Sequence, residues 1–208
     1  MQIWTVLLLI ISITACNSPQ KWETKLESKS LEEGQSIYTQ KVIRYRDSMD
    51  AVFYSGSNGI LPKDAISNEG KLNYFSPDES YRVQAEFEPT IDGEVFQMKT
   101  NTDRLPEYRK YGKISFTLQN QNLFLTLYQN VEQPEYLFCP FKDKTNGKQS
   151  YGAGRFLDFE EKDLENMVLD FNYAYNPYCA YNLNFSCPIP PLENHLEIAV
   201  MAGEKTWH

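Results

Sequence analysis

Histidine is nearly absent from this chain: among its 208 residues only His195 and His208 are histidines. Zinc-protease HExxH sites, two-histidine iron sites and most histidine proton relays need histidines placed together. The Gly152-Ala-Gly154 run leads into Arg155-Phe-Leu-Asp158, which is typical of a strand and not of the helix that follows a phosphate-binding loop. We therefore expect no resident metal and no cofactor.

Basic residues are also in deficit. The chain has 20 Lys and Arg residues against 28 Asp and Glu residues, a formal net charge of −8. An acidic domain is a poor match for nucleic acid and does not dock electrostatically on anionic lipid. We expect no nucleic-acid partner, and any attachment to a membrane has to come from something other than surface charge.

No apolar run is long enough for a membrane-spanning helix. The segment from Ile3 to Ile13 is almost wholly apolar, but about a dozen residues is the length of a signal-peptide core, whereas a span needs about 20. It leads into Thr14-Ala15-Cys16, which resembles a bacterial lipobox. This pattern predicts cleavage after Ala15 and acylation of Cys16, for example with palmitate, although no Lys or Arg precedes the apolar core. An ordinary signal peptide or an uncleaved anchor is the alternative.

The chain is therefore expected to comprise a lipoprotein signal peptide (1–15), a polar tether (16–36) and a single globular domain (37–208). Its expected location is the cell envelope, on the periplasmic or extracellular face, held to the membrane through the N-terminal acyl anchor. Stable anchoring takes at least two acyl chains, which a bacterial lipoprotein supplies.

The globular domain is predicted to begin with an amphipathic helix and to continue as β-structure. Ser36 is placed as the N-cap, and Tyr38, Val42, Tyr45, Met49 and Val52 recur at helical spacing. A short helical turn is predicted between Leu61 and Ile66, where Pro62 favours a helix start. Seven or eight short strands then follow at close spacing, which predicts a mainly β fold, an antiparallel β-sandwich or barrel with an N-terminal helix (α+β overall). The predicted strands are Tyr81–Glu88, Glu94–Thr100, Ile114–Gln119, Leu123–Leu127, Tyr136–Phe141, Arg155–Asp158, Met167–Asn172 and Leu196–Met201.

Three cysteines other than Cys16 fall in the domain, an odd number. Cys179 and Cys187 are eight residues apart and form a possible thiol pair. The two thiols are either reduced and packed among aromatic residues or joined in a disulfide, which an exported protein can form. A zinc site made from this pair with Cys139 and His195 is also formally possible, but its spacing is unlike that of the compact zinc motifs.

A set of polar residues forms a candidate binding site. If the strands that carry Arg155 and Asp170 pair, the guanidinium could face Asp170 and Asn172. The planar guanidinium of Arg matches the geometry of a carboxylate or a phosphate. Such a pocket would bind a small anionic or carbohydrate-like ligand. The alternative is an Arg–Asp ion pair with Asn side chains that satisfy turn backbone. The candidate binding residues are Arg155, Asp158, Asp170, Asn172, Asn176, Glu193 and Asn194.

The C-terminal half resembles a known family. It carries the motifs Tyr111-Gly112, Leu137-Phe138, Pro140–Asp143, Gly154–Asp158, Leu169–Asn172, Tyr175-Asn-Pro177, Cys179–Asn182, Cys187-Pro188, Pro190-Pro191, Glu193-Asn194 and Ala202–Lys205. Together these resemble the bacterial domain-of-unknown-function 1684 family over about residues 38–205. The family brings no catalytic assignment, and it includes members without export signals, which argues against a disulfide as the purpose of the two-cysteine motif. Its relatives tend to carry Arg at the position of His195, which argues against zinc.

Two function classes follow from these observations. The first is a binding module of the cell envelope that holds a small ligand or a partner in the polar cluster. The second is an envelope hydrolase. With so little histidine, it would use a carboxylate (Asp158, Asp170 or Glu193) or the Cys179 thiolate. The two classes differ in what they require of these groups: an enzyme needs one of them in a cleft with a perturbed pKa.

Overall fold

A computed structural model describes residues 34–56, 59–66 and 70–207. The predicted signal peptide, the predicted acylation at Cys16 and the predicted tether up to residue 33 lie outside the described residues, so they stay predictions. From Ser36 onward the chain forms one compact unit. Within the described part, no helix combines the length and the apolar character that a membrane crossing requires.

The predicted N-terminal helix is confirmed as α1, Ile37–Tyr54. The Ser36 hydroxyl accepts a hydrogen bond from the Thr39 amide at 3.1 Å, so Ser36 is the N-cap as expected. Val42 and Phe53 are buried, but Val52 at the end of the predicted stripe is 48 % exposed, because the helix presents the Phe53 side to the domain at its last turn. The short turn after Pro62 is also present, as a 3₁₀ turn at Lys63–Ala65.

Seven strands, all paired antiparallel, form the rest of the framework in the described part of the chain. The strands are β1 Arg82–Pro89, β2 Val95–Gln97, β3 Glu107–Leu118, β4 Gln121–Asn130, β5 Leu137–Phe141, β6 Arg155–Phe159 and β7 Val168–Asp170. The sheet order is β6-β5-β4-β3-β1-β7, β2 pairs with the start of β3, and the sheet curls into a half-barrel. The prediction of a mainly antiparallel β fold with a helix near the N-terminus is therefore confirmed.

The long hairpin of β3 and β4 organises the core. Its tight turn is made by Gln119 and Asn120, both with positive φ (51° and 58°), which is the backbone that a two-residue hairpin turn requires. Alternate β3 residues such as Ile114 and Phe116 are buried on one face. They contribute to an apolar cluster that also includes Leu169, Phe171 and the segment 196–202.

The predicted strand Leu196–Met201 is wrong. The segment is irregular, although Leu196, Ile198 and Val200 are all buried as their alternation suggested. Leu196 and Ile198 each form one hydrogen bond with the backbone of residues 142–144, but the backbone of Val200 is bound by side chains. Arg155 Nη2 donates to the Val200 carbonyl at 2.8 Å, and Asp143 Oδ1 accepts from the Val200 amide at 3.1 Å. The alternation of apolar residues therefore predicted correctly that these side chains are buried, but it did not show that the segment is a strand.

Candidate functional site

A cavity of about 230 Å³ lies between α1 on one side and β6, the residue before β5 and the C-terminal irregular segments on the other. We call it the tyrosine cavity. Five of its eight lining residues are aromatic and two are carboxylates, and none is a Lys or an Arg. The mouth is open, since Tyr136 and Tyr178 are 36 % and 43 % exposed, whereas Phe53 and Glu204 are buried. The lining consists of Tyr45, Met49, Phe53, Tyr136, Asp158, Tyr175, Tyr178 and Glu204.

One wall of the cavity comes from α1. Tyr45, Met49 and Phe53 are four residues apart, so they lie on one face of the helix. Tyr45 packs edge-on against Tyr173, with ring centroids 4.8 Å apart, and Phe53 packs edge-on against Tyr178 at 6.1 Å. These aromatic contacts hold the helix against the opposite wall.

Asp158 occupies the mouth, near the end of β6. Phe156 and Tyr175 exchange both backbone hydrogen bonds, which brings the Tyr175 side chain beside the strand. The Tyr175 hydroxyl donates to Asp158 Oδ2 at 2.6 Å, and the Tyr136 hydroxyl lies 3.3 Å from that of Tyr175. As a residue Asp158 is exposed to solvent, but its carboxylate lies against the tyrosine side chains and is largely surrounded by protein. This desolvation raises the pKa of Asp158, while hydrogen bonds from Tyr136 and Tyr175 oppose the rise.

Glu204 is the buried carboxylate of the cavity, with 2 % of its surface exposed. Its Oε2 accepts hydrogen bonds from the Asn176 amide at 2.7 Å and from the Tyr181 hydroxyl. Burial raises the pKa of Glu204 to about 7, although these bonds and the charge of Arg155 oppose the rise. A carboxyl group that titrates near neutral pH can exchange a proton with a bound molecule.

The residue before Glu204 explains how the carboxylate reaches this place. Gly203 has φ +75°, and a Cβ added there would lie 2.4 Å from the Ala174 carbonyl oxygen. The Glu204 amide donates to that same carbonyl at 2.8 Å. Only glycine allows so close a backbone approach, so Gly203 brings the C-terminal segment against residues 171–176 and directs Glu204 towards the cavity.

The structure does not bring Arg155 to Asp170 and Asn172. The strands that carry Arg155 and Asp170, β6 and β7, form opposite edges of the sheet and do not pair, so the expected facing arrangement is wrong. Arg155 is fully buried, and its Nη2 lies 2.8 Å from Asp143 Oδ2. The guanidinium is occupied by this carboxylate and by backbone carbonyls, and it does not line the cavity.

Asp170 and Asn172 belong to a separate network. Both carboxylate oxygens of Asp170 lie 2.9 Å from the Tyr38 hydroxyl, which donates to them, and Arg82 Nε is 3.9 Å from Oδ2. Asn172 accepts from the Asp78 amide at 2.9 Å and donates to the Asp78 carbonyl at 2.8 Å. Asn172 therefore satisfies turn backbone, as the alternative interpretation of the polar set described.

The other candidates are also used locally. Asn194 accepts from the Thr126 amide at 2.7 Å and donates to the Thr126 carbonyl at 2.8 Å, in the manner of a strand neighbour. Glu193 binds Lys110 Nζ at 2.8 Å. Asn176 donates to the Lys205 carbonyl at 2.8 Å, and its backbone amide binds Glu204. Of the seven predicted binding residues, only Asp158 lines the tyrosine cavity, and Asn176 supports it from behind.

Cys179 and Cys187 are close together and are free thiols, both buried. Cys187 Sγ accepts a hydrogen bond from the Cys179 amide at 3.3 Å. The hydrogen bond with Cys187 lowers the pKa of Cys179, against the effect of burial. Cys139 belongs to the main apolar core, and burial raises the pKa of its thiol. Among the residues that the structure describes, no three His, Cys, Asp or Glu side chains come together as metal ligands.

A second depression, of about 710 Å³, is a shallow area on the outer face of β1, β3 and β4. The Thr117 hydroxyl donates there to Asn122 at 2.9 Å, and Lys113 Nζ lies 4.6 Å from the Phe124 ring centroid. These side chains bind one another at an open surface. The tyrosine cavity is the more enclosed site, and it contains two carboxylates whose pKa values are raised, Asp158 and Glu204.

Sequence reasoning missed most of the cavity. Tyr175 and Tyr178 stand inside the recognised motif block, and Glu204 stands in its closing Ala202–Lys205 segment. The available signal for Glu204 was an acidic residue directly after a glycine, at the end of the apolar stretch 198–202. The sequence held no signal that Tyr45 lines a cavity, because its helical spacing is equally typical of a residue packed in the core.

Comparisons with known proteins agree on the relationship and add no activity. The profile of a family described as "Protein of unknown function (DUF1684)" matches residues 70–205. The solution NMR structure of an uncharacterized protein from gene locus rrnAC0354 of Haloarcula marismortui is similar, with 37% sequence identity and a TM-score of 0.63. That match covers 80% of this chain and 93% of the Haloarcula chain. No curated protein matches.

Proposed function

We propose that this chain, which belongs to the DUF1684 family of proteins of unknown function, binds a small organic ligand in the tyrosine cavity. The observation that carries the proposal is a preformed, solvent-reachable cavity lined by aromatic side chains around two carboxylates. Small-molecule sites are typically concave and apolar with a few placed polar groups. A volume of about 230 Å³ suits a ligand somewhat larger than benzene, which fits a cavity of about 150 Å³.

The proposal includes the cellular address expected from the N-terminal sequence. Acyl chains on the N-terminal Cys16 would hold the domain at the membrane surface of the cell envelope, with the polar tether between them. The anionic-ligand expectation rested on Arg155, which is occupied by Asp143. The binding proposal therefore rests on the tyrosine cavity and its two carboxylates, and not on Arg155.

The test is a small-fragment screen by ligand-observed NMR on the full-length protein and on two variants. Met49→Trp adds bulk to the wall of the cavity, and Phe124→Trp makes a matched change on the shallow sheet face. We expect fragments that bind the wild-type protein to be lost with Met49→Trp and kept with Phe124→Trp, both variants showing wild-type circular dichroism. Fragment binding that is unaffected by Met49→Trp, or no binding at all, would contradict the proposal.

A carboxylate-dependent hydrolase is the second candidate, and one observation favours it. Two carboxyl groups with raised pKa values, Asp158 and Glu204, line the same cavity, as acid–base catalysis requires. Asp170 and Glu193 lie outside it, and Cys179 is buried. A turnover that Glu204→Gln and Asp158→Asn abolish, with ligand binding retained, would establish this candidate.

A further inference from the structure

Several carboxylates of the domain are bound by a basic side chain. Asp143 is paired with Arg155 at 2.8 Å, Glu193 with Lys110 at 2.8 Å and Asp170 with Arg82 at 3.9 Å. Asp158 and Glu204 form no such ion pair in the part of the chain that the structure describes. Their partners are tyrosine hydroxyls and backbone amides.

The second observation is the aromatic lining around these carboxylates. Five rings, those of Tyr45, Phe53, Tyr136, Tyr175 and Tyr178, border the same space. The faces of aromatic rings attract cations through their quadrupole, and tyrosine rings are among the stronger partners. Aromatic cages with an acidic side chain are the usual chemistry for recognising ammonium groups.

We infer that the ligand of the tyrosine cavity is a small organic cation, an amine or a quaternary ammonium compound, whose charge is bound by Asp158 and the surrounding rings. The inference rests on the proposed function and names its ligand class. The exposed rings of Tyr136 and Tyr178 leave the mouth accessible. A ligand cation would supply the counter-charge that no side chain of the lining provides.

Other ligand classes fit the lining less well. An anion would meet two carboxylates and no Lys or Arg, which is repulsive. An inorganic divalent cation prefers several oxygen ligands, and among the described residues no three His, Cys, Asp or Glu side chains come together to hold one. A neutral polyhydroxyl compound finds acceptors but gains nothing from the unpaired charge of Asp158.

The experiment compares three probes of nearly the same shape by isothermal titration calorimetry on the full-length protein. Choline carries a trimethylammonium group, neopentyl carbinol replaces its nitrogen with carbon, and the anion of tert-butylacetic acid reverses the charge. We expect choline to bind at least about ten-fold more tightly than the neutral alcohol. The anion is expected to bind most weakly.

Two variants locate the effect. Asp158→Asn keeps the side-chain shape and removes the charge, so we expect about a ten-fold loss of choline affinity and no change for the alcohol. Glu86→Gln removes an exposed carboxylate on the shallow sheet face, and it should leave both affinities unchanged. If Asp158→Asn weakens both probes equally, the charge has no role and the inference fails.

The outcomes separate this inference from the proposed function. If the alcohol or the anion binds as tightly as choline and Met49→Trp abolishes that binding, the ligand class is wrong while the cavity keeps its binding role. If none of the three probes binds at millimolar concentration and no fragment depends on Met49, both the inference and the proposed function are overturned.

Discussion

Arg155 and Asp143 form an ion pair that is closed off from solvent: Nη2 and Oδ2 are 2.8 Å apart, and neither side chain has any exposed surface. The same guanidinium donates to the Val200 carbonyl at 2.8 Å and to the Glu204 carbonyl at 3.1 Å. Burial lowers the pKa of Arg155, and Asp143 opposes this. The pair therefore holds the C-terminal segment in place and, with it, the Glu204 carboxylate of the cavity.

Arg155→Met should strongly destabilise the domain. The substitution leaves the Asp143 carboxylate buried without its cation, and breaking a buried pair in this way costs about 3–5 kcal/mol. Urea unfolding of the full-length variant should show a correspondingly lower midpoint. Lys144→Met is the control, because Lys144 and Glu197 pair at 3.4 Å on the exposed surface, where an ion pair contributes little. Equal midpoints for Arg155→Met and the wild type would contradict a structural role for the pair.

The stability of the domain should fall as the pH rises from about 5 to 7. Burial raises the pKa of Glu204 to about 7 from an ordinary value of 4.5, so the folded state holds a proton that the unfolded state has released. The contribution is fully present below the unfolded pKa and is lost as pH rises through the folded pKa. This contribution of Glu204 to the free energy of unfolding is about 3 kcal/mol.

Urea unfolding at several pH values measures this effect. Glu204→Gln should remove most of the slope between pH 5 and 7, because the amide has no proton to lose. Glu193→Gln is the matched control: hydrogen bonds from Lys110, against the effect of burial, lower the pKa of Glu193, so it titrates below that window. A wild-type slope that persists in Glu204→Gln would show that another group is responsible.

The ring of Tyr178, and not its hydroxyl, should contribute to binding of choline. Tyr178→Leu removes one of the exposed rings at the mouth and is expected to weaken choline binding about three-fold, whereas Tyr178→Phe should keep the wild-type affinity. Calorimetry gives the affinities, and thermal melting checks that both variants fold. Equal losses in the two variants would assign the effect to the hydroxyl group.

Cys16→Ser should release the protein from the membrane. The substitution removes the Cys16 thiol, which directly follows the predicted cleavage position and is the expected attachment point of the acyl chain. Metabolic labelling with an alkyne palmitate analogue and membrane fractionation measure both effects, and Ser18→Ala in the tether is the control. Cys16→Ser protein that still carries the label in the membrane fraction would refute the anchor.

The helix and the hairpin could be predicted from the sequence because local rules decide them. Ser36 as a cap and the four-residue spacing of Tyr45 and Met49 define a helix without knowledge of the rest of the chain. The alternation of Ile114 and Phe116 defines a strand in the same way. These features need only neighbouring residues, and the structure confirms them.

The site could not be predicted in the same way because it depends on which strands are neighbours. Arg155 was expected to face Asp170, but their strands form opposite edges of the sheet, and Arg155 pairs with Asp143. Buried alternation in Leu196–Val200 carried no information on its backbone partners. Glu204 has no periodic neighbours at all, and only the fold brings it to Tyr45.

The tyrosine cavity takes its walls from the two ends of the domain, with α1 on one side and Gly203-Glu204 on the other. Contacts between residues so far apart in sequence are slow to form, because a long loop has to close before they stabilise anything. The hairpin of β3 and β4 has only local contacts to make and can fold much earlier. During folding, we therefore expect the cavity to be among the last parts of the domain to be completed, so that a chain with only its central hairpin formed does not yet bind a ligand there.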